Sequence, residues 1–117
     1  MLISRDWQTR ALLRAQLLEE GCSVRAYESL SDVFRALGRT PFGPSLLITE
    51  LSGDEGASEL EKLSAVARRL PVWVLASHSD VDEASLRGRG FETVLFRPID
   101  MSDLLERVKR RLMELTH

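Results

Sequence analysis

The chain has 117 residues, the size of one domain of roughly 100–150 residues, with no length left for a second core. Lys and Arg number 16 against 18 Asp and Glu, a net charge of −2, which argues against the broad basic surface that drives nucleic-acid binding through phosphate neutralisation. The single cysteine, Cys22, excludes an internal disulfide and a cysteine-built zinc site, and no apolar run approaches the ~18 residues of a membrane helix.

The amino terminus meets charge at Arg5 and Asp6, too early for the apolar stretch of a secretory signal. The expected location is the cytoplasm. Of the 16 basic residues only Lys62 and Lys109 are lysine.

In chain order, Leu2-Ile3 is the first short apolar run. Ala11, Leu12, Ala15 and Leu18 follow at helical offsets and predict a helix with these four residues inward. Gly21 closes that helix where a left-handed residue is wanted, and Val24 to Tyr27 is the second run. Ser29 and Asp32 have the spacing of a capped helix start with an acid in the first turn, and Leu30, Val33 and Leu37 form that helix's apolar face. Pro44 and Pro71 directly precede the third and fourth runs, Leu46-Leu47-Ile48 and Val72-Trp73-Val74-Leu75, where a missing amide hydrogen does no harm. These two runs are continuous and aliphatic, as central strands covered on both faces require. Trp73 is expected in the core.

Between them, Leu60, Leu63, Val66, Ala67 and Leu70 mark a third helix. The fourth, Val81 to Arg89, has only Val81, Ala84 and Leu86 to bury, so it should be short and loosely held. Gly90 closes it ahead of the fifth run, Val94-Leu95-Phe96. Asp100 and Asp103 repeat the capping spacing before a last helix striped by Leu104, Leu105, Val108, Leu112 and Leu115.

Five rounds of strand then helix across residues 1–117, without repeat or linker, predict a single α/β domain with a parallel sheet. Right-handed crossovers favour a doubly wound five-stranded sheet in the order 2-1-3-4-5 with helices on both faces. Ligands of such sheets bind at the carboxyl ends of the strands. That places Ser4 to Gln8, Glu50 to Gly56, Ala76 to Ser79 and Arg97-Pro98 around the crevice.

Three of these segments carry a family likeness. Gly90-Phe91-Glu92-Thr93-Val94-Leu95-Phe96-Arg97-Pro98 resembles the Gly-Ala-Asp-Asp-Tyr-Leu-x-Lys-Pro segment of the CheY-like receiver domains of bacterial two-component response regulators. Pro44 to Leu51 resembles their strand ending in the phosphoacceptor aspartate, and Pro71 to Ser77 the strand ending in a conserved Thr or Ser. The likeness spans essentially the whole chain. It implies a flavodoxin-like, CheY-like fold and signalling without enzymatic activity of its own. It also implies a protein partner or output domain, pairing of two copies through the fourth helix, fifth strand and fifth helix, and no direct contact with nucleic acid or membrane. Both a stand-alone receiver and a piece of a longer regulator fit it.

The chemistry of that family does not carry over. The resemblance implies two acids after the first strand that hold a divalent ion, yet aligning Arg10 with the family's first-helix arginine puts Ser4 and Arg5 there, with Asp6 one place late. Glu50 stands at the phosphoacceptor, Ala76 at the hydroxyl with Ser77 next to it, Arg97 at the lysine before Pro98, and Val94 at the aromatic switch position. Hard cations want several oxygen ligands, and Arg5 brings a like charge that repels by about 4 kcal/mol at ~4 Å and an effective dielectric near 20. Glu50 carries its carboxylate roughly 1.5 Å further out than aspartate, a misplacement that costs orders of magnitude in a positioned reaction. The expectation is a degenerate pocket with no cofactor, in which Glu50 and Arg97, joined by Arg5, form a permanent ion-pair network. The alternative is a working receiver with Mg2+ bound by Asp6, Glu50 and Asp54.

Plainer readings stand beside these. Asp6 is well suited to capping the first helix instead of binding metal, and solvated loops are the plain reading of Glu50, Asp54 and Glu55. Trp7 either plugs the crevice or makes an ordinary apolar contact. Ser77, His78 and Asp80 lie too close in sequence for a hydrolase triad, whose members come from separate segments, and no glycine-rich phosphate loop follows the first strand. In the last helix Arg107, Lys109, Arg110 and Arg111, interleaved with Asp103, Glu106 and Glu114, read either as a solvated face or, with Glu92, as a salt-bridged interface.

Overall fold

The computed structural model describes residues 2–3, 7–19, 21, 24–39, 46–51, 57–77, 83–86 and 88–115. Five strands and five helices alternate: β1 (Leu2–Ile3), α1 (Trp7–Glu19), β2 (Ala26–Tyr27), α2 (Leu30–Arg39), β3 (Leu47–Glu50), α3 (Ala57–Ala67), β4 (Val72–Ala76), α4 (Glu83–Leu86), β5 (Thr93–Phe96) and α5 (Met101–Leu115). All strand pairs are parallel, and the sheet order is β2-β1-β3-β4-β5, as the run-and-helix pattern predicts. The two continuous aliphatic runs lie in β3 and β4, and every residue of β4 is buried.

Two cores cover the sheet. On one face Leu30 and Val33 of α2, Leu63 of α3 and Leu86 of α4 pack on Leu47, Val72, Val74 and Ala76. On the other, Leu13 and Leu17 of α1 and Leu104 and Val108 of α5 pack on Ile48, Trp73 and Leu75. Alternate strand residues feed opposite cores because successive side chains point to opposite faces.

The helix starts are fixed by side chains. The Asp32 amide donates to Ser29 Oγ at 3.2 Å, and the Ser102 and Asp103 amides donate to Asp100 Oδ1 at 2.9 and 3.2 Å, satisfying donors that the helix itself leaves open. Gly21 and Gly90, at φ 83° and 90°, take the left-handed conformation expected of them.

Three expectations need correction. In α1 the outward residues are Ala11, Leu12, Ala15 and Leu18, with Leu12 49% and Leu18 45% exposed, while Leu13 and Leu17 are buried. The helix has apolar residues on both sides, and the i, i+4 pair of leucines is the one seated on the sheet. The fourth helix is a single turn, Glu83–Leu86, and Arg89 lies in the non-helical turn before Gly90; Val81 is outside the described residues. The second strand is two residues, with Val24 and Arg25 outside it, because it pairs only with the two residues of β1.

Candidate functional site

The carboxyl ends of β3, β4 and β5 lie level with one another. Glu50 pairs in register with Leu75, the Leu51 amide donates to Leu75 O at 2.9 Å, and the Arg97 amide donates to Ala76 O at 2.8 Å. Strand spacing of about 4.8 Å puts the Glu50 and Arg97 backbones roughly 10 Å apart, on either side of β4. Two long side chains close that gap: Arg97 Nη2 meets Glu50 Oε1 at 2.5 Å. The pair is lopsided, with 15% of the Glu50 side chain exposed against 40% of Arg97.

Around this ion pair, Ala76 is fully buried and offers no hydroxyl, Ser77 follows at the end of β4 and is half-buried, and the Arg97-Pro98 bond is cis. Val94 is a half-buried residue of β5 that packs against the α2–α3–α4 core. Glu50, Ala76, Ser77, Arg97 and Pro98 are thus brought together. Ser4, Arg5, Asp6, Asp54, Glu55, His78 and Asp80 lie outside the described residues, as do Cys22 and Pro44, and Trp7 is placed only as the first residue of α1.

Among the described residues no group of three or more His, Cys, Asp or Glu side chains could hold a metal ion. At the end of β3 the Glu50 carboxylate is paired with the Arg97 guanidinium.

A second polar cluster lies at the opposite end of β5, and sequence reasoning missed its arrangement. The indole N–H of buried Trp73 donates to Glu92 Oε2 at 2.7 Å. Arg111 Nε lies 2.9 Å from the same oxygen, Arg111 Nη2 lies 2.6 Å from Oε1, and Arg111 Nη1 donates to Glu114 at 3.1 Å. The Arg111 guanidinium, bonded to the Glu92 carboxylate, holds that carboxyl below its usual value, and the Trp73 bond adds to this while burial opposes it. Glu92 in turn raises the Arg111 guanidinium. Both side chains stay partly exposed, and their pairing joins α5 to the start of β5. The signal was a tryptophan in a fully buried strand, whose N–H needs an acceptor, one register step from Glu92, since Trp73 pairs with Thr93. On the rest of this surface Asp103, Glu106, Arg107 and Arg110 are exposed, with Arg110 and Glu106 4.0 Å apart.

A parallel sheet in this order with helices on both faces is the flavodoxin-like, CheY-like α/β fold. The receiver domain protein of Methanospirillum hungatei superposes with a TM-score of 0.77 at 19% identity, covering 98% of this chain and 93% of that one. The signal receiver domain of a LuxO repressor protein from Vibrio parahaemolyticus gives 0.75 at 21% identity, covering 98% and 89%. In sequence the chain is 27% identical over 114 residues to the DNA-binding transcriptional regulator NtrC of Proteus hauseri, covering 95% of this chain and 24% of that protein. The chain therefore spans about a quarter of the length of the curated relatives it matches. No family model matches it.

Proposed function

We propose that this chain is a receiver-like domain of two-component signalling that acts by protein contact and is not switched by phosphorylation. The observation that carries this reading is the Glu50–Arg97 ion pair. It occupies the carboxylate that a receiver would offer to metal and phosphoryl group, and arginine holds a carboxylate more persistently than lysine does. Charge neutralisation that a working receiver obtains from a bound ion is built into the chain here, so the site has one state. The partner is an output domain or separate protein, by analogy with the longer relatives, with the surface of α4, β5 and α5 as the contact and a homodimer as one form of it. The expected setting is the cytoplasm. Among the described residues no helix is long and apolar enough to cross a membrane.

Incubating the protein with acetyl phosphate and Mg2+ and recording its intact mass tests this reading. The expected result is no phosphoryl adduct, and no change in the amide NMR signals of Glu50, Ser77 and Arg97 on adding Mg2+ with beryllofluoride. A stoichiometric adduct that Glu50→Gln abolishes would overturn it in favour of a working receiver using Asp6, Glu50 and Asp54.

A further inference from the structure

Among the described residues the exposed large hydrophobic side chains are Leu12, Leu18 and Met113. All lie on α1 and α5, the two helices that share one face of the sheet, and both leucines belong to α1. At about 100° per residue, Ala11, Ala15 and Leu18 fall within roughly 60° of one another on α1, with Leu12 at their edge. All four side chains are exposed. Leu13 and Leu17, which seat the helix on the sheet, are buried on the opposite side. The outer stripe is therefore apolar surface that the fold of one chain leaves in water.

The charges beside the stripe indicate what covers it. Arg14 flanks it on one side and Glu19 on the other; both are exposed, and neither has a partner among the described residues. Lying on opposite flanks of one helix, they cannot meet each other within a chain. Written as a heptad, Ala11 and Leu18 take position d, Ala15 position a, Arg14 position g and Glu19 the next e. In two parallel helices a g side chain faces the e side chain that lies five residues further along the other helix. Arg14 of each copy then meets Glu19 of the other. An antiparallel pair sets like flank against like flank, which brings the two Arg14 side chains together and makes neither bond. Leucine at d is what parallel two-stranded pairing favours, and alanines at 11 and 15 allow an approach near the short end of the usual 8–10 Å range.

We propose that α1 is a self-association surface, on which two copies of the chain pair side by side and parallel through Ala11, Ala15 and Leu18, bracketed by two Arg14–Glu19 ion pairs. The proposal depends neither on the Glu50–Arg97 site nor on the surface of α4, β5 and α5. From Ala11 to Leu18 the seam spans about 10 Å at ~1.5 Å per residue. So small a contact belongs to the weak, transient class, with an expected Kd on the order of 100 µM. Pairing of this strength is reversible alone and becomes firm where another segment already joins the two copies.

Sedimentation equilibrium of the full chain between about 10 µM and about 1 mM tests the proposal. A monomer–dimer equilibrium is expected, and Leu18→Glu should abolish it by setting two carboxylates against each other at the seam. Arg14→Glu and Glu19→Arg should each weaken association at least about tenfold when studied separately, since each places like charges across both flanks. An equimolar mixture of these two variants should regain it as a heterodimer, because every facing pair is then of opposite sign. All three substitutions lie on exposed positions, so thermal unfolding of the dilute proteins should not change. Absence of a dimer at the highest concentration overturns the proposal, as does a dimer that survives Leu18→Glu, which would place the contact on another face. Failure of the mixture to regain association overturns it as well, and this arm does not require the Leu18→Glu chain to fold.

Discussion

Arg97→Gln and Glu50→Gln break the same ion pair, yet they should not cost the same. Glu50 is largely enclosed and Arg97 is not, at 15% and 40% side-chain exposure. Without Arg97 the carboxylate remains at the sheet end with little water to replace the guanidinium, whereas without Glu50 the guanidinium swings into solvent and is hydrated. Unit charges about 4 Å apart attract by ~4 kcal/mol at an effective dielectric near 20, but desolvation of one partner and exposure of the other take back most of this. Exposed pairs contribute about 0.2–1 kcal/mol, and breaking a fully buried one costs about 3–5 kcal/mol. A pair open on one side falls between these limits, near 1–2 kcal/mol for Arg97→Gln and about 0.5 kcal/mol for Glu50→Gln. The double variant should be less destabilised than Arg97→Gln alone, because the enclosed negative charge is removed as well. Urea unfolding of the four proteins measures this, with a coupling of about 1 kcal/mol and an unchanged denaturant slope as the expected outcome. Additivity within about 0.3 kcal/mol, or a larger cost for Glu50→Gln than for Arg97→Gln, would refute the reasoning.

Thr49 is fully buried and its hydroxyl has no hydrogen-bond partner among the described residues, so Thr49→Val should raise stability by about 1 kcal/mol in chemical denaturation; a loss of stability would mean the hydroxyl is satisfied after all. Leu13→Ala should cost about 3 kcal/mol and Leu12→Ala less than about 0.5 kcal/mol, and a reversed order would put the α1 face assignment in error. Because Glu92 titrates below its usual 4.5 in the folded chain, the stability it lends is complete above that value. It is lost as pH falls from about 4.5 through the lower folded value, so Glu92→Gln, which keeps an acceptor for Trp73, should flatten the acid limb of the stability curve. An acid limb as steep as that of the unsubstituted chain would show that other carboxyls govern it.

What the sequence made legible follows from how each feature is encoded. The sheet order was readable because β3 and β4 are unbroken aliphatic runs and the links between strands are helical, which leaves few right-handed arrangements. The capping residues Ser29 and Asp100 were readable because a cap is local. The buried face of α1 was not, since Ala11, Leu12, Ala15 and Leu18 satisfy the helical period as well as Leu13 and Leu17 do, and only the sheet beneath decides. At the site, the pairing of Glu50 with Arg97 was anticipated from the positions that the receiver resemblance assigns to them, while the expected third member, Arg5, lies outside the described residues. The contact of Arg111 with Glu92 spans 19 residues and depends on where α5 crosses β5, which no spacing rule gives.

A receiver-like fold tolerates substitution at its strand ends for a physical reason. The cores are built from residues within the strands, such as Leu47, Val72 and Val74 on one face and Ile48, Trp73 and Leu75 on the other, and from the helix faces above them. The chemistry sits one step beyond, at Glu50, Ser77 and Arg97, where side chains meet the open end of the sheet and bury little apolar area. Substitution there leaves the large hydrophobic terms untouched and changes only a charge balance of a few kcal/mol. A carboxylate left alone at that end would be costly, so loss of a neutralising ion demands a cation from the chain, and position 97 is the strand end from which an extended side chain reaches across β4. In the function proposed above, arginine at that position supplies the positive charge that a receiver's metal would. Restoring lysine at 97 and aspartate at 50 should leave the fold intact without reviving phosphotransfer, because the positions after β1 are still Ser4 and Arg5. Gain of a Mg2+-dependent phosphoryl adduct by the Glu50→Asp/Arg97→Lys variant, recorded by intact mass, would show that the β1 positions do not matter and that the arginine alone had silenced the site.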